Sequence, residues 1–175
     1  MIILGVDPGK RTGLALYDSD LRQVLWAANA TPEEALDHLR RGGVRIDSPL
    51  PTRWSVAVIE RMASTGKVNS DILRACEDGG RMYEAARSGL AKGALAIPDA
   101  EPEPSWLFRR EVCRTMHVAG SNKDGQMIDR LCESHGGDRK TARGTKKNPG
   151  PLYGCSADSW QALACAVAWL EIEGR

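Results

Sequence analysis

The chain has 175 residues, of which 42% are hydrophobic and 27% are charged, values typical of one globular domain with a buried core. The net charge of +1 excludes a polycation, so any affinity for nucleic acid must come from local clusters of basic residues. No apolar run approaches the roughly 20 residues of a membrane span, and we expect neither a membrane span nor a signal peptide. The five cysteines are odd in number and scattered, which favours free thiols in a reducing cytoplasm over a disulfide framework.

The chain opens with a short apolar run at residues 2–6 that ends on Asp7. Such a run predicts a strand buried on both faces, broken by the proline and glycine that follow. Residues 13–17 predict a second strand and residues 21–28 a third, in an antiparallel meander. A carboxylate that ends a buried strand is costly to desolvate unless it pairs or binds a cation. Asp7 is therefore a candidate metal ligand; the alternative is that it caps the turn at Pro8-Gly9.

A helix and a fourth strand follow. Thr31 is a typical N-cap with Glu34 as its capping-box partner, and this helix is predicted to run to about residue 41. Residues 54–60 predict a strand that repeats the pattern of the first, because an apolar run ends on Glu60. A long helix is predicted over about residues 69–89.

The remaining chain is predicted to be mainly helical. Residues 94–98 predict a short final strand, and Ser105 is the predicted N-cap of a helix that carries the next residues. A further helix is predicted from about residue 120 to residue 136. Residues 138–151 hold five basic residues and no hydrophobic side chain larger than alanine, which predicts an exposed, mobile loop. The last helix is predicted over about residues 156–172 from its apolar spacing.

The order of elements is typical of an α/β layer. With no internal repeat and no second domain, we expect one domain over residues 1–175. Its core would be a mixed five-stranded sheet flanked by helices on both faces.

Three acidic residues far apart in the sequence are expected to converge. Asp7 and Glu60 end strands that could lie side by side, and Asp158 begins the last helix. Converging carboxylates repel each other unless divalent cations neutralise them, and such oxygen ligands suit Mg²⁺ or Mn²⁺. Two such ions can activate a water and stabilise the leaving oxygen in phosphodiester hydrolysis. Each acid also has a simpler interpretation: Glu60 could pair with Arg61, and Asp158 could complement a helix dipole.

Four short blocks carry a resemblance to a known family: ILGVDPGKRTGLA at residues 3–15, VIE at 58–60, GSNKD at 120–124 and SADSWQALA at 156–164. In the same order, they are similar to four parts of the RuvC family of Holliday-junction resolvases, which have the ribonuclease H-like fold. These parts are the opening signature, the second catalytic strand, the segment where a lysine approaches DNA, and the carboxy-terminal catalytic helix. Actin-like sugar kinases begin in a similar way, but the three acids together favour the nuclease.

The resemblance implies a crossover junction endonuclease that uses Mg²⁺, with Mn²⁺ as a substitute, and acts as a homodimer that makes paired nicks in a four-way DNA junction. The catalytic residues would be Asp7, which bridges two ions, Glu60, which holds one, and Asp158, which holds the other. Two features depart from the family: Gln161 stands where a second acid is usual, and no aromatic residue closely follows Glu60. We expect Gln161 to be a neutral metal ligand or to hold a water, so that one metal site binds loosely.

Basic residues are the candidates for contacts with DNA phosphates, which set affinity more than sequence preference. For each of them the alternative is a solvated surface charge. They are Lys123, Arg109, Arg110, Arg114, Arg139, Lys140, Arg143, Lys146 and Lys147.

Other functions remain open from the sequence. A nuclease of the same fold could act on another branched or hybrid nucleic acid, and a junction-binding protein could have lost its activity, with Gln161 as the sign of that loss. A phosphate-binding, kinase-like domain is disfavoured, because 175 residues leave no room for the second lobe that closes over a nucleotide.

Overall fold

The computed structural model describes residues 1–46, 51–61, 69–93, 103–120 and 123–173. Within them the strands are β1 (Ile2–Asp7), β2 (Thr12–Asp18), β3 (Gln23–Ala30), β4 (Val56–Arg61) and β5 (Ser105–Phe108). The helices are α1 (Pro32–Arg41), α2 (Ser70–Gly93), α3 (Arg109–Thr115), α4 (Lys123–Ser134), α5 (Arg139–Arg143) and α6 (Ser159–Ile172).

The strands form one mixed sheet in the order β3-β2-β1-β4-β5. The first three make the predicted antiparallel meander, while β4 lies parallel to β1 and β5 lies parallel to β4. Ile3 and Val58 point to the face covered by α3, α4 and α6, and Leu4 and Ile59 point to the face covered by α1 and α2. The predicted five-stranded mixed sheet with helices on both faces is confirmed.

The helix α6 is the centre of one layer. Every residue from 159 to 169 is buried, so α6 is covered by the sheet on one side and by other helices on the other. The sequence predicts that this helix begins at about residue 156, which is too early, because Asp158 is its N-cap residue.

Two glycines allow α6 to lie directly on the sheet. A methyl group on Gly5 would overlap the backbone carbonyl of Ala162, and one on Gly13 would overlap the backbone carbonyl of Asp158. Gly13 is the cross-strand partner of Asp7. The first turn of α6 therefore begins beside the carboxyl end of β1.

The predicted cap of α1 is confirmed. Thr31 caps α1, since its Oγ1 accepts from the backbone N–H of Glu34 at 3.3 Å and Glu34 accepts from the N–H of Thr31 at 2.8 Å. All five cysteines are free. No helix in the described residues is long and apolar enough to cross a membrane.

The prediction that Ser105 caps a helix is wrong. Residues 105–108 form the edge strand β5, and the helix begins only at Arg109. Trp106 stacks on Tyr83 with 4.9 Å between ring centroids, so aromatic packing and pairing with β4 outweigh the capping signal. The strand predicted over residues 94–98 lies outside the described residues.

Residues 138–151 are not a loop throughout, contrary to the prediction. Asp138 caps the short helix α5, and an isolated β-bridge follows. Ala142 is fully buried, and its carbonyl accepts from the backbone N–H of the equally buried Leu152 at 2.8 Å. One small side chain within a basic segment thus anchors the segment to the core.

His135 is a polar residue of this core. Its Nε2 lies 2.7 Å from the hydroxyl of Tyr17, and its Nδ1 lies 2.9 Å from the carbonyl of Leu131. Burial lowers the pKa of His135 below its ordinary value. Its neutral form therefore fits the folded state better than its charged form does.

The free energy of unfolding should fall in mild acid because of His135. Its pKa is lower in the folded state than the unfolded value of about 6.5, so the unfolded state takes up more protons as the pH falls through that window. Between pH 7 and pH 5, the free energy of unfolding measured by urea denaturation should fall more for the wild type than for His135→Gln. The exposed His117 offers a control, and His117→Asn should keep the wild-type loss. Parallel pH profiles for the wild type and His135→Gln would contradict this assignment.

Gly5→Ala should destabilise the fold, because the added methyl group forces α6 away from β1. We expect the free energy of unfolding to fall by about 2 kcal/mol or more, measured by urea denaturation. The control is Gly80→Ala in α2, where a methyl group meets open space. That change should be neutral or stabilise by up to about 1 kcal/mol. Equal effects of the two changes would contradict the close approach of α6.

Candidate active site

Asp7 and Glu60 end neighbouring strands at one edge of the sheet. The parallel register pairs Val6 with Ile59, so the next residue of each strand reaches the same edge. Both side chains alternate in phase with Val58 and face α6. The side chain of Glu60 is only 4% exposed, whereas Asp7 is partly buried.

Asp158 reaches this edge from α6. The backbone around it is held by Asn29, whose Oδ1 accepts from the N–H of Ser159 at 3.0 Å and whose Nδ2 donates to the carbonyl of Ser156 at 2.9 Å. The carboxylate of Asp158 accepts no capping hydrogen bond from α6. Its placement beside Gly13 brings it next to the end of β1.

The negative charges of Glu60 and Asp158 both act on Asp7. Burial raises the pKa of Asp7 well above its ordinary value, and the negative charges of Glu60 and Asp158 raise it further, against the opposing charge of Arg109. Burial also raises the pKa of Glu60, again against the effect of Arg109. A positive charge near Asp7 would relieve this repulsion.

A guanidinium group lies among the candidate ligands. Arg109 Nη1 donates to Glu60 Oε2 at 3.1 Å and to Gln161 Oε1 at 2.9 Å, and its Nη2 donates to Asp124. From the sequence, Arg109 is a candidate for a DNA contact, but its side chain is engaged inside this cluster. Arg61, the alternative partner of Glu60, instead lies over the rings of β5.

Cys165 is a further residue of this cluster, and the sequence did not single it out. Its Sγ donates to Glu60 Oε2 at 3.6 Å, and burial raises the pKa of the thiol well above its ordinary value, which keeps it a proton donor. The signal was present, because Asp158, Gln161 and Cys165 follow the i, i+3, i+7 spacing of one helix face. The role of Asp124 beside Arg109 had no comparable signal.

The donor set fits a hard divalent cation. Asp7, Glu60, Asp158 and Gln161 offer only oxygen atoms, the ligands that Mg²⁺ and Mn²⁺ prefer. The guanidinium of Arg109 already stands in for a cation against two of them. Within the described residues, no three acidic, histidine or cysteine side chains lie close enough together to hold a metal ion. A cation would therefore have to draw these groups together.

The other basic candidates lie on the surface. Arg139, Lys140 and Arg143 line a cavity of about 460 Å³ that extends to Ser156, two residues before Asp158. Arg139 also pairs with a carboxylate of α4 at 2.6 Å. The remaining candidates are exposed residues of α3, α4 and the segment after α5: Arg110, Arg114, Lys123, Lys146 and Lys147.

Asp7→Asn should stabilise the protein when divalent cations are absent. Since burial and like charges raise the pKa of Asp7, its ionised form costs folding free energy at neutral pH, and a neutral amide removes this cost. We expect a gain of about 1 kcal/mol in EDTA at pH 7, measured by urea denaturation. The gain should shrink toward pH 4, where Asp7 is protonated in the folded state. Asp37→Asn, on the surface of α1, should give no such gain, and a destabilised Asp7→Asn would contradict the argument.

Comparisons with known proteins support the fold. No family model matches the chain, and no curated protein sequence matches it. Among solved structures, T. thermophilus RuvC in complex with a Holliday junction substrate matches with a TM-score of 0.57, over 99% of this chain and 96% of that chain. The identity between the two chains is 13%, so the likeness establishes the fold alone. The predicted ribonuclease H-like fold is confirmed.

Proposed function

We propose that the chain is a metal-dependent, structure-selective DNA endonuclease whose substrate is the four-way junction. The observation that supports this best is the convergence of Asp7, Glu60 and Asp158 at one edge of the sheet, where β1, β4 and the start of α6 meet. A buried carboxylate whose pKa is raised further by neighbouring acids, as that of Asp7 is, is typical of a functional site. The fold of the chain resembles that of a RuvC bound to a Holliday junction along nearly its full length.

The proposed ligands of Mg²⁺ or Mn²⁺ are the three acids and Gln161. Asp7 would be a ligand of both ions, Glu60 of one and Asp158 of the other. Bound ions of this kind supply an activated water and stabilise the leaving oxygen of the phosphodiester. The protein orients the ligands: Gly13 and Asn29 hold the backbone of Asp158, and the Cys165 thiol orients Glu60.

The proposed DNA surface lies beside the start of α6. The cavity lined by Arg139, Lys140 and Arg143 is continuous with the turn that precedes Asp158, so a strand whose phosphates lie there would pass the carboxylate cluster. Further proposed phosphate contacts are Arg110, Arg114, Lys123, Lys146 and Lys147. Paired nicks require two active sites, so the proposal includes a homodimer whose twofold symmetry matches that of the junction.

One observation favours a second candidate function. Arg109, hydrogen-bonded to Gln161, lies where a nuclease of this kind would bind a cation. An arginine in place of the cation is what a protein that binds junctions without cutting them could have. The two candidates differ in one measurable respect, since only the nuclease forms nicked products.

The chain should nick a labelled synthetic four-way junction in Mg²⁺, and EDTA should abolish the reaction. Asp7→Asn, Glu60→Gln and Asp158→Asn should each lower the nicking rate by about a thousandfold or more, since bound ions contribute several kcal/mol of transition-state stabilisation. Junction affinity, measured by gel shift, should change little. Asp37→Asn should nick like the wild type.

Duplex and flap substrates of the same length complete this experiment. Equal nicking of the flap would contradict the junction as the preferred substrate. Binding of the junction without nicking, in both Mg²⁺ and Mn²⁺, would favour the second candidate. Wild-type rates in Asp7→Asn would rule out the proposed site.

A further inference from the structure

Arg109 makes its contacts in the most buried part of the proposed metal site. The exposed fractions of Glu60 and Gln161 are 4% and 9%, and one guanidinium nitrogen, Nη1, donates to both. Arg109 itself is 29% exposed. These contacts therefore join a nearly enclosed carboxylate and amide to a cation that still reaches solvent.

The position of Arg109 is determined by the fold. It directly follows β5, whose residue Leu107 is paired with Glu60 across the sheet. The N–H of Phe108 donates to Glu111 Oε2 at 2.9 Å, which fixes the first turn of α3. Arg110, the next residue, places its guanidinium over the Phe108 ring instead. The two consecutive arginines thus have different environments, and only Arg109 enters the cluster.

The guanidinium and a divalent cation compete for the same oxygens. Glu60 Oε2 and Gln161 Oε1 already accept hydrogen bonds from Arg109. A divalent cation bound to the same two oxygens would lie beside the guanidinium, and two positive charges so close repel strongly when water is largely excluded. Asp7 and Asp158 make no hydrogen bond or ion pair with another described side chain. Among the described residues, no side chain competes with an ion for the carboxylates of Asp7 and Asp158.

We infer that Arg109 is a resident cation that fills the Glu60–Gln161 half of the site. Without DNA, the chain then holds one divalent ion, against Asp7 and Asp158, and a second ion enters only when Arg109 leaves. Asp124, whose side chain is 69% exposed, gives the departing guanidinium an acceptor at the rim. The inference rests on the proposed function, because it concerns the same metal site.

The test counts bound Mn²⁺ ions without DNA, by isothermal titration and by the loss of the free Mn²⁺ signal in electron paramagnetic resonance. The wild type should bind one ion per chain, and Arg109→Ala should bind two, with an affinity for the second ion at least about tenfold above the detection limit that the wild type fails to reach. Arg109→Lys keeps the charge and should bind one. Arg61→Ala removes the same charge from the residue next to Glu60, on the other face of the sheet, and should also bind one.

Thermal unfolding provides a second readout. Arg109→Ala leaves Glu60 with an uncompensated buried charge, so it should unfold at a lower temperature in EDTA, and Mn²⁺ should raise that temperature more than it does in the wild type. The larger effect of Mn²⁺ on Arg109→Ala is expected even if that variant folds only when Mn²⁺ is bound. Two ions in the wild type, or equal Mn²⁺ shifts in the two proteins, would overturn the inference and leave the proposed nuclease intact. Absence of Mn²⁺ binding in every variant would overturn the metal-dependent nuclease as well.

Discussion

The close contact between α6 and the sheet is the constraint on which the rest of the structure depends. Gly5 and Gly13 present bare backbone to α6, and any larger residue would overlap its carbonyl groups. Because the register places Gly13 opposite Asp7, this contact also sets where Asp158 lies relative to the end of β1. Fold stability and the geometry of the candidate site thus share one cause, and a change that separates helix and sheet would affect both. Because protein interiors are close-packed, such a contact leaves little room for adjustment.

The candidate site carries an electrostatic cost that the rest of the domain must offset. Glu60 is almost fully enclosed, and Asp7 lies within reach of its charge and of Asp158. Neutral side chains would fold more easily there, which is the usual sign that a group is kept for function and not for stability. The Cys165 thiol and the Arg109 guanidinium partly compensate Glu60, but neither makes a hydrogen bond to Asp7.

The elements that could be predicted from the sequence are those with a local signal, such as an apolar run or a short motif. Apolar runs that end on Asp7 and Glu60 identified two central strands and two acids, and short blocks of sequence linked them to Asp158. The edge strand β5 was missed because Ser105 suits a helix cap equally well, and only pairing with β4 decides between them. The location of Arg109 was also beyond local patterns, since it depends on how β5, α4 and α6 meet in space.

The neutral side chain of Gln161 and the single positive charge of Arg109 fit each other in the charge balance of the site. The single negative charge of Glu60 is balanced by one guanidinium, which uses the amide oxygen of Gln161 as a second acceptor. A carboxylate at position 161 would place a second negative charge in the same enclosed space, and a single monovalent cation could not neutralise both. A divalent ion would then be the natural counter-charge. The neutral residue on α6 and the arginine after β5 therefore set the charge balance of the site together, although they lie 52 positions apart in the sequence.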